Sequence, residues 1–152
     1  MKTPSTDRIQ KTVLLQAQRS RVWRALTDAA EFGQWFRVRL EGRFVPGAAT
    51  TGFVTYPGFE HLRFEVLVDR MDAEHDFSFR WHPYAVDPEV DYSKEPPTLV
   101  EFKLEAVSQG TRLTVIESGF DQIPAERRNE AFRMNEGGWT VQMENIRKHV
   151  DR

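Results

Sequence analysis

The chain contains no cysteine, which excludes disulfides, thiolate nucleophiles and cysteine-ligated zinc or iron–sulfur clusters at the outset. Nor does any apolar run approach the roughly 18 residues that a membrane-spanning helix needs, and the opening "MKTPSTDRIQ" lacks the apolar core of a signal peptide. A soluble cytoplasmic protein is the expectation. Charge of one sign is also scarce: 21 basic residues against 23 acidic leave a formal net charge of −2, with no block of five like charges. Such a surface offers no track for a phosphate backbone, so no nucleic acid and no membrane are expected as partners.

Nucleophile and phosphate motifs are missing as well. There is no G-x-S-x-G, no G-x-G-x-x-G and no glycine followed by G-K-S/T. The four histidines, His61, His75, His82 and His149, form neither H-E-x-x-H nor a helical i, i+4 pair, so neither a metal nor a cofactor is expected.

What the sequence does have is rings: eleven Phe, four Trp and three Tyr among 152 residues. Each buries a large apolar area, so one substantial core, and a single domain over residues 1–152, are expected. Residues 9–15, "IQKTVLL", alternate as a strand with Ile9, Lys11, Val13 and Leu15 on one face. Two short helices are expected next. Ser20 is placed to cap the first, with Val22, Trp23 and Leu26 on its apolar side; Asp28 is placed to cap the second, which carries Phe32, Trp35 and Phe36.

From residue 38 to 118 the apolar period falls to two, punctuated by turn signals at Pro46-Gly47, Pro57-Gly58, Asp72 to Glu74 and Gln109-Gly110. This predicts an antiparallel meander of about six strands. Its inward residues are Phe64, Val66, Val68; Phe77, Phe79, Trp81; Val100, Phe102, Leu104, Ala106; and Leu113, Val115. A sheet that is apolar on one face needs a cover. Phe132, Trp139, Met143, Ile146 and Val150 recur at helical spacing after Pro124 and supply one. The fold class is therefore α+β: a curved antiparallel sheet of about six to seven strands around a long C-terminal helix, with two short helices after the first strand.

Two polar groups fall in phase with the apolar face. The parity that buries Leu113 and Val115 turns Glu117 inward, and that of Phe77, Phe79 and Trp81 includes His75. Exposure of Glu117 at the rim is the competing reading. The helix also carries Gly137-Gly138, costly in a helix interior, which suggests a kink, a close backbone approach or a hinge. "FRWHPY" at 79–84 reads as a strand end, stopped by Pro83, that opens into a long loop over 83–97, a candidate mobile cover.

The segments "VWRALTDAAEFGQWF" (22–36), "FRWHPYAVDPEVDYSKEPPTLVEFKLE" (79–105), "GTRLTVIESGF" (110–120) and "NEGGWTVQMENIRKHV" (135–150) resemble the SRPBCC or START-like superfamily. Within it they resemble the domain homologous to the activator of heat-shock protein 90 ATPase. The resemblance implies a helix-grip fold with a hydrophobic cavity between sheet and last helix, enclosing a small hydrophobic or aromatic molecule. On that basis Trp35, Phe36, Phe64, Phe79, Trp81, Phe102, Val115 and Trp139 are candidate cavity wall, and Tyr84, Glu117 and Asn135 candidate polar orienters. The alternatives are a lyase, cyclase or hydrolase using Glu117 or His75 as acid or base, and a chaperone-associated or stress-response interaction module, either monomeric or homodimeric.

Overall fold

The computed structural model describes residues 7–87 and 89–151. The opening segment, read above as lacking a signal peptide's apolar core, lies outside them up to residue 6, and so does Pro88 in the long loop. Strand β1 (Arg8–Leu15) alternates as expected, with Ile9 and Leu15 buried. Helix α1 (Arg19–Thr27) follows, and its cap corrects the reading of Ser20. Gln18 is the N-cap, without a side-chain bond, and Ser20 lies within the first turn. Helix α2 (Ala29–Phe36) does begin on Asp28, whose side chain accepts from the Glu31 backbone N–H, and it buries Phe32 and Trp35.

Six further strands complete one antiparallel sheet: β2 (Val38–Leu40), β3 (Ala49–Val54), β4 (Arg63–Asp72), β5 (Asp76–Trp81), β6 (Thr98–Val107) and β7 (Gly110–Ser118). The sheet order is β1-β7-β6-β5-β4-β3-β2, a meander closed at one edge by the first strand. Gly33 lets α2 lie tightly against β2, since a Cβ there would sit 2.4 Å from the Val38 carbonyl oxygen. That close approach fixes where Phe36 projects.

The long helix α3 (Ala125–Val150) runs without interruption across the concave face and buries Ala131, Trp139, Met143, Ile146 and Val150. Phe132, expected on the buried stripe, is only half-buried and meets Phe120 edge-on at 5.1 Å. Ala106 is exposed and lines an open cleft with Gln18, Arg19 and Ser20 at the start of α1. The glycine pair also departs from expectation: a Cβ at Gly137 or Gly138 would meet nothing within 4 Å, so neither serves a close backbone contact.

One cluster of buried residues joins both short helices, the sheet and α3. Phe32, Phe44, Phe64, Phe77, Phe79, Phe102 and Trp139 interlock within it, with ring centroids mostly 5 to 6.5 Å apart, the separation that edge-on and offset ring pairs favour. The rings thus fill much of the space that the resemblance implies to be hollow.

Candidate functional site

At the end of the sheet where β5 stops, four side chains from three elements converge on Glu117. Its backbone sits near the end of β7, paired with Ile9 of β1 and Val100 of β6. Period-two alternation turns its side chain inward with Leu113 and Val115, and the residue has no solvent exposure at all. Rim exposure, the competing expectation, is not what the fold produces. One carboxylate oxygen, Oε2, accepts from the Trp81 indole N–H at 2.7 Å and the Thr98 hydroxyl at 2.6 Å. The other, Oε1, accepts from the Asn135 amide at 2.9 Å and the Trp139 indole at 2.8 Å.

Asn135 and Trp139 reach the same oxygen because residues four apart on a helix share a face. The two indoles lie nearly parallel, with centroids 5.7 Å apart and planes 29° from coplanar. No cation pairs with Glu117 among the described residues, so hydrogen bonds alone offset its removal from water. Bonds to a charged acceptor are the strong class, and four of them meet what an unpaired buried carboxylate requires. The group ties β5, β6, β7 and α3 together.

Two clefts border this cluster. The first, about 140 Å³, is lined by Phe36, Trp81, Asn135, Gly138, Trp139 and Gln142. The second, about 170 Å³, lies between the start of β4 and residues 81–86, with Phe64, Trp81, His82, Tyr84 and Asn135 in its lining. It exists because β4 and β5 part company: their pairing ends at Leu67 and Arg80, so Arg63 to Val66 continue without β5 beside them. Trp81 and Asn135 border both clefts. Each is small beside the roughly 300 to 1,000 Å³ of common ligand pockets.

Of the residues singled out from sequence, Phe36, Phe64, Trp81, Tyr84, Asn135 and Trp139 line one or both clefts, with Glu117 hydrogen-bonded to three of the cleft-lining side chains. Phe79, Phe102 and Val115 are wholly buried core. Trp35 donates its indole N–H to the Ala25 carbonyl and borders a separate polar cleft with Arg37, Lys148 and His149. His75 is not brought to the site. It is exposed in the turn before β5, beside Arg19, at the opposite end of that strand from Trp81. The inward parity breaks there because the turn, rather than the ladder, sets its direction.

Thr98 was invisible to sequence reasoning, since a threonine at a strand start carries no special signal. Asn135 stands on the apolar stripe, three residues after Phe132 and four before Trp139, as a polar interruption of it. Arg127 was missed too. Its guanidinium grips Glu95 at 2.7 Å, donates to the Pro83 and Tyr84 carbonyls at 3.0 Å and lies 4.7 Å over the Tyr92 ring. These contacts tie the described part of the 83–97 loop to α3. No group of three or more His, Asp or Glu side chains is arranged to hold a metal ion among the described residues. No helix among them is long and apolar enough to cross a membrane.

The sequence profile of the Activator of Hsp90 ATPase homolog 1-like protein family matches residues 16–151. The chain belongs to that family. No curated protein matches it significantly. Among solved structures, MLL2253 from Mesorhizobium loti superposes with a TM-score of 0.75 at 19% identity, over 95% of this chain and 97% of that one. DynU16, described as a putative protein in the dynemicin biosynthetic locus, gives 0.74 at 24% identity over 97% of this chain and 48% of its own length. The Aha1 dimer from Colwellia psychrerythraea gives 0.70 at 15% identity, over 95% and 96%. At these identities the likeness establishes the shared helix-grip fold.

Proposed function

We propose that this member of the Aha1-like family binds a small hydrophobic or aromatic molecule at the clefts that flank Trp81. The observation that carries the reading is the half-buried Trp81 ring. It is held in place by Glu117, stacked on Trp139, approached by the Phe36 and Phe64 rings at centroid distances of 6.0 and 6.1 Å, and shared by the linings of two clefts. A rigid aromatic surface whose polar edge is already satisfied favours a flat apolar partner. Titrating a panel of lipids and small aromatics while recording melting temperature and tryptophan fluorescence tests it. Binding should quench Trp81 and Trp139 and raise the melting temperature, and a panel that moves neither signal sinks the reading.

Acid or base catalysis by Glu117 is less well supported, because both its oxygens already accept two hydrogen bonds and proton transfer would require giving one up. A protein-interaction role, as the family description suggests, is the second reading. It is favoured by the exposed aromatic pair Tyr56 and Phe59 at the tip of the β3–β4 hairpin, 41 to 53% exposed together with Phe53. Chaperone capture at physiological salt that is lost in Tyr56→Ser/Phe59→Ser would support it, and no capture by the unaltered protein would remove it.

A further inference from the structure

Which polar group a ligand meets beside Trp81 is decided by the side chain of Asn135. Its two amide ends could in principle be exchanged, but Glu117 removes the choice. The carboxylate oxygen 2.9 Å from Asn135 already receives the Trp139 N–H and can only accept. Turning the amide over would set two acceptors against each other, so the nitrogen faces Glu117 and Oδ1 projects from the other branch. No donor among the described residues reaches Oδ1, and the half-buried Asn135 borders both clefts.

The remaining lining of the 140 Å³ cleft holds no other side-chain acceptor without a donor, and no charged side chain. Both indole N–H groups are spent on Glu117. Gln142 donates to the Phe36 carbonyl and accepts from Asn145. The second N–H of each amide can meet an acceptor, but only a ligand that donates can meet Oδ1. No Lys or Arg lines this cleft, and the anion of Glu117 lies behind its wall. A carboxylate placed there would find two neutral amide N–H groups but no cation, and would oppose both Oδ1 and Glu117.

Size narrows the class further. An apolar cavity of about 150 Å³ takes one benzene ring, close to the 140 Å³ of this cleft. We infer that the ligand group bound beside Trp81 is a single neutral aromatic ring bearing a hydroxyl or equivalent N–H donor, selected by the Asn135 side-chain carbonyl, and that aromatic acids are rejected. This rests on the reading of the Trp81 clefts as a binding site.

Phenol, anisole, toluene and benzoate serve as probes, followed through the indole N–H resonances of Trp81 and Trp139 in the full chain. Phenol is expected to shift both resonances and to bind roughly fivefold more tightly than anisole, the scale of one net hydrogen bond. Benzoate is expected to leave them unmoved. Asn135→Leu should weaken phenol and bring it within about twofold of anisole, and because the ranking on the unaltered protein stands alone, an unfolded variant would not rescue a failed ranking. Equal binding of phenol and anisole overturns selection by Oδ1 while leaving an aromatic site in place. Benzoate binding more tightly than phenol overturns it in favour of an acid ligand. If toluene and every other probe leave both indoles unmoved, the binding site itself falls, and this inference with it.

Discussion

Replacing Glu117 by Gln keeps the shape of the side chain and removes one of its two acceptor oxygens. All four partners donate in the native arrangement, and two of them, the Trp81 and Trp139 indoles, have no ability to accept. Whichever end the new NH₂ occupies, it confronts one indole N–H. On the Oε2 side the Thr98 hydroxyl can rotate to accept, and on the Oε1 side the Asn135 amide can turn over to do so, but either way one indole N–H loses its partner. Losing a hydrogen bond to a charged acceptor costs about 1.5 to 3 kcal/mol, and a buried unsatisfied donor about 1 to 3 kcal/mol. The neutral amide is easier to bury than a carboxylate, which offsets part of this. A net destabilisation of about 2 to 4 kcal/mol follows. Urea denaturation at constant slope measures it, with the Trp81 and Trp139 indole resonances reporting which bond is broken. An unchanged or higher midpoint would mean that the carboxyl itself donates in one of the four bonds and that the all-acceptor arrangement is wrong.

Trp139→Ala should cost about 3 to 5 kcal/mol, as for other buried large aromatic side chains, since the ring is 2% exposed and also bonds Glu117; a midpoint within error of the unaltered protein would refute its placement. Gly137→Ala and Gly138→Ala should each stabilise by up to about 1 kcal/mol, because neither glycine has a left-handed φ and the added methyl meets nothing. Only the Gly138 methyl narrows the cleft that residue lines, so phenol binding should weaken in that variant alone, and a fall in either melting temperature would reveal strain. Burial pushes the Glu31 carboxyl up, but hydrogen bonds from His149 and Arg21, the Arg21 charge and a bond from Arg24 together outweigh it and hold the group below its ordinary value of 4.5. A depressed folded-state value means this stabilisation is complete at neutral pH and is lost as the pH falls below 4.5 and through the depressed value. Glu31→Gln should flatten that acid limb of the melting curve, and parallel pH profiles would disprove the linkage.

Glu117 shows how far residue order alone reaches into the site. The alternation that buries Leu113 and Val115 is enough to point it inward, whereas Asn135 followed from the cavity that the family resemblance implies and not from any period. His75 shows where the same rule stops. It has the parity of Phe77 and Phe79, yet it lies in the turn, where no ladder enforces alternation. Arg127 carries no local signal at all, because its partners Pro83, Tyr84 and Glu95 are 32 to 44 residues away and meet it only once the loop has folded back on α3.

Residue order by itself determined the strands, the two short helices and the covering helix, because these follow from the periods of 2 and 3.6 residues that backbone stereochemistry imposes locally, while the family was legible in the particular residues of four segments. Tertiary structure alone decided that Trp81, Thr98, Asn135 and Trp139 all donate to one carboxylate. It also decided that phenylalanine rings occupy much of the space beneath α3, and that the remaining space is divided into two small clefts around Trp81. The physical reason is that hydrogen-bond convergence and void volume depend on sheet curvature, on the rotation of α3 about its axis and on how side-chain volumes interlock. Those are properties of surfaces meeting across 18 to 36 residues of chain, and no local period encodes them.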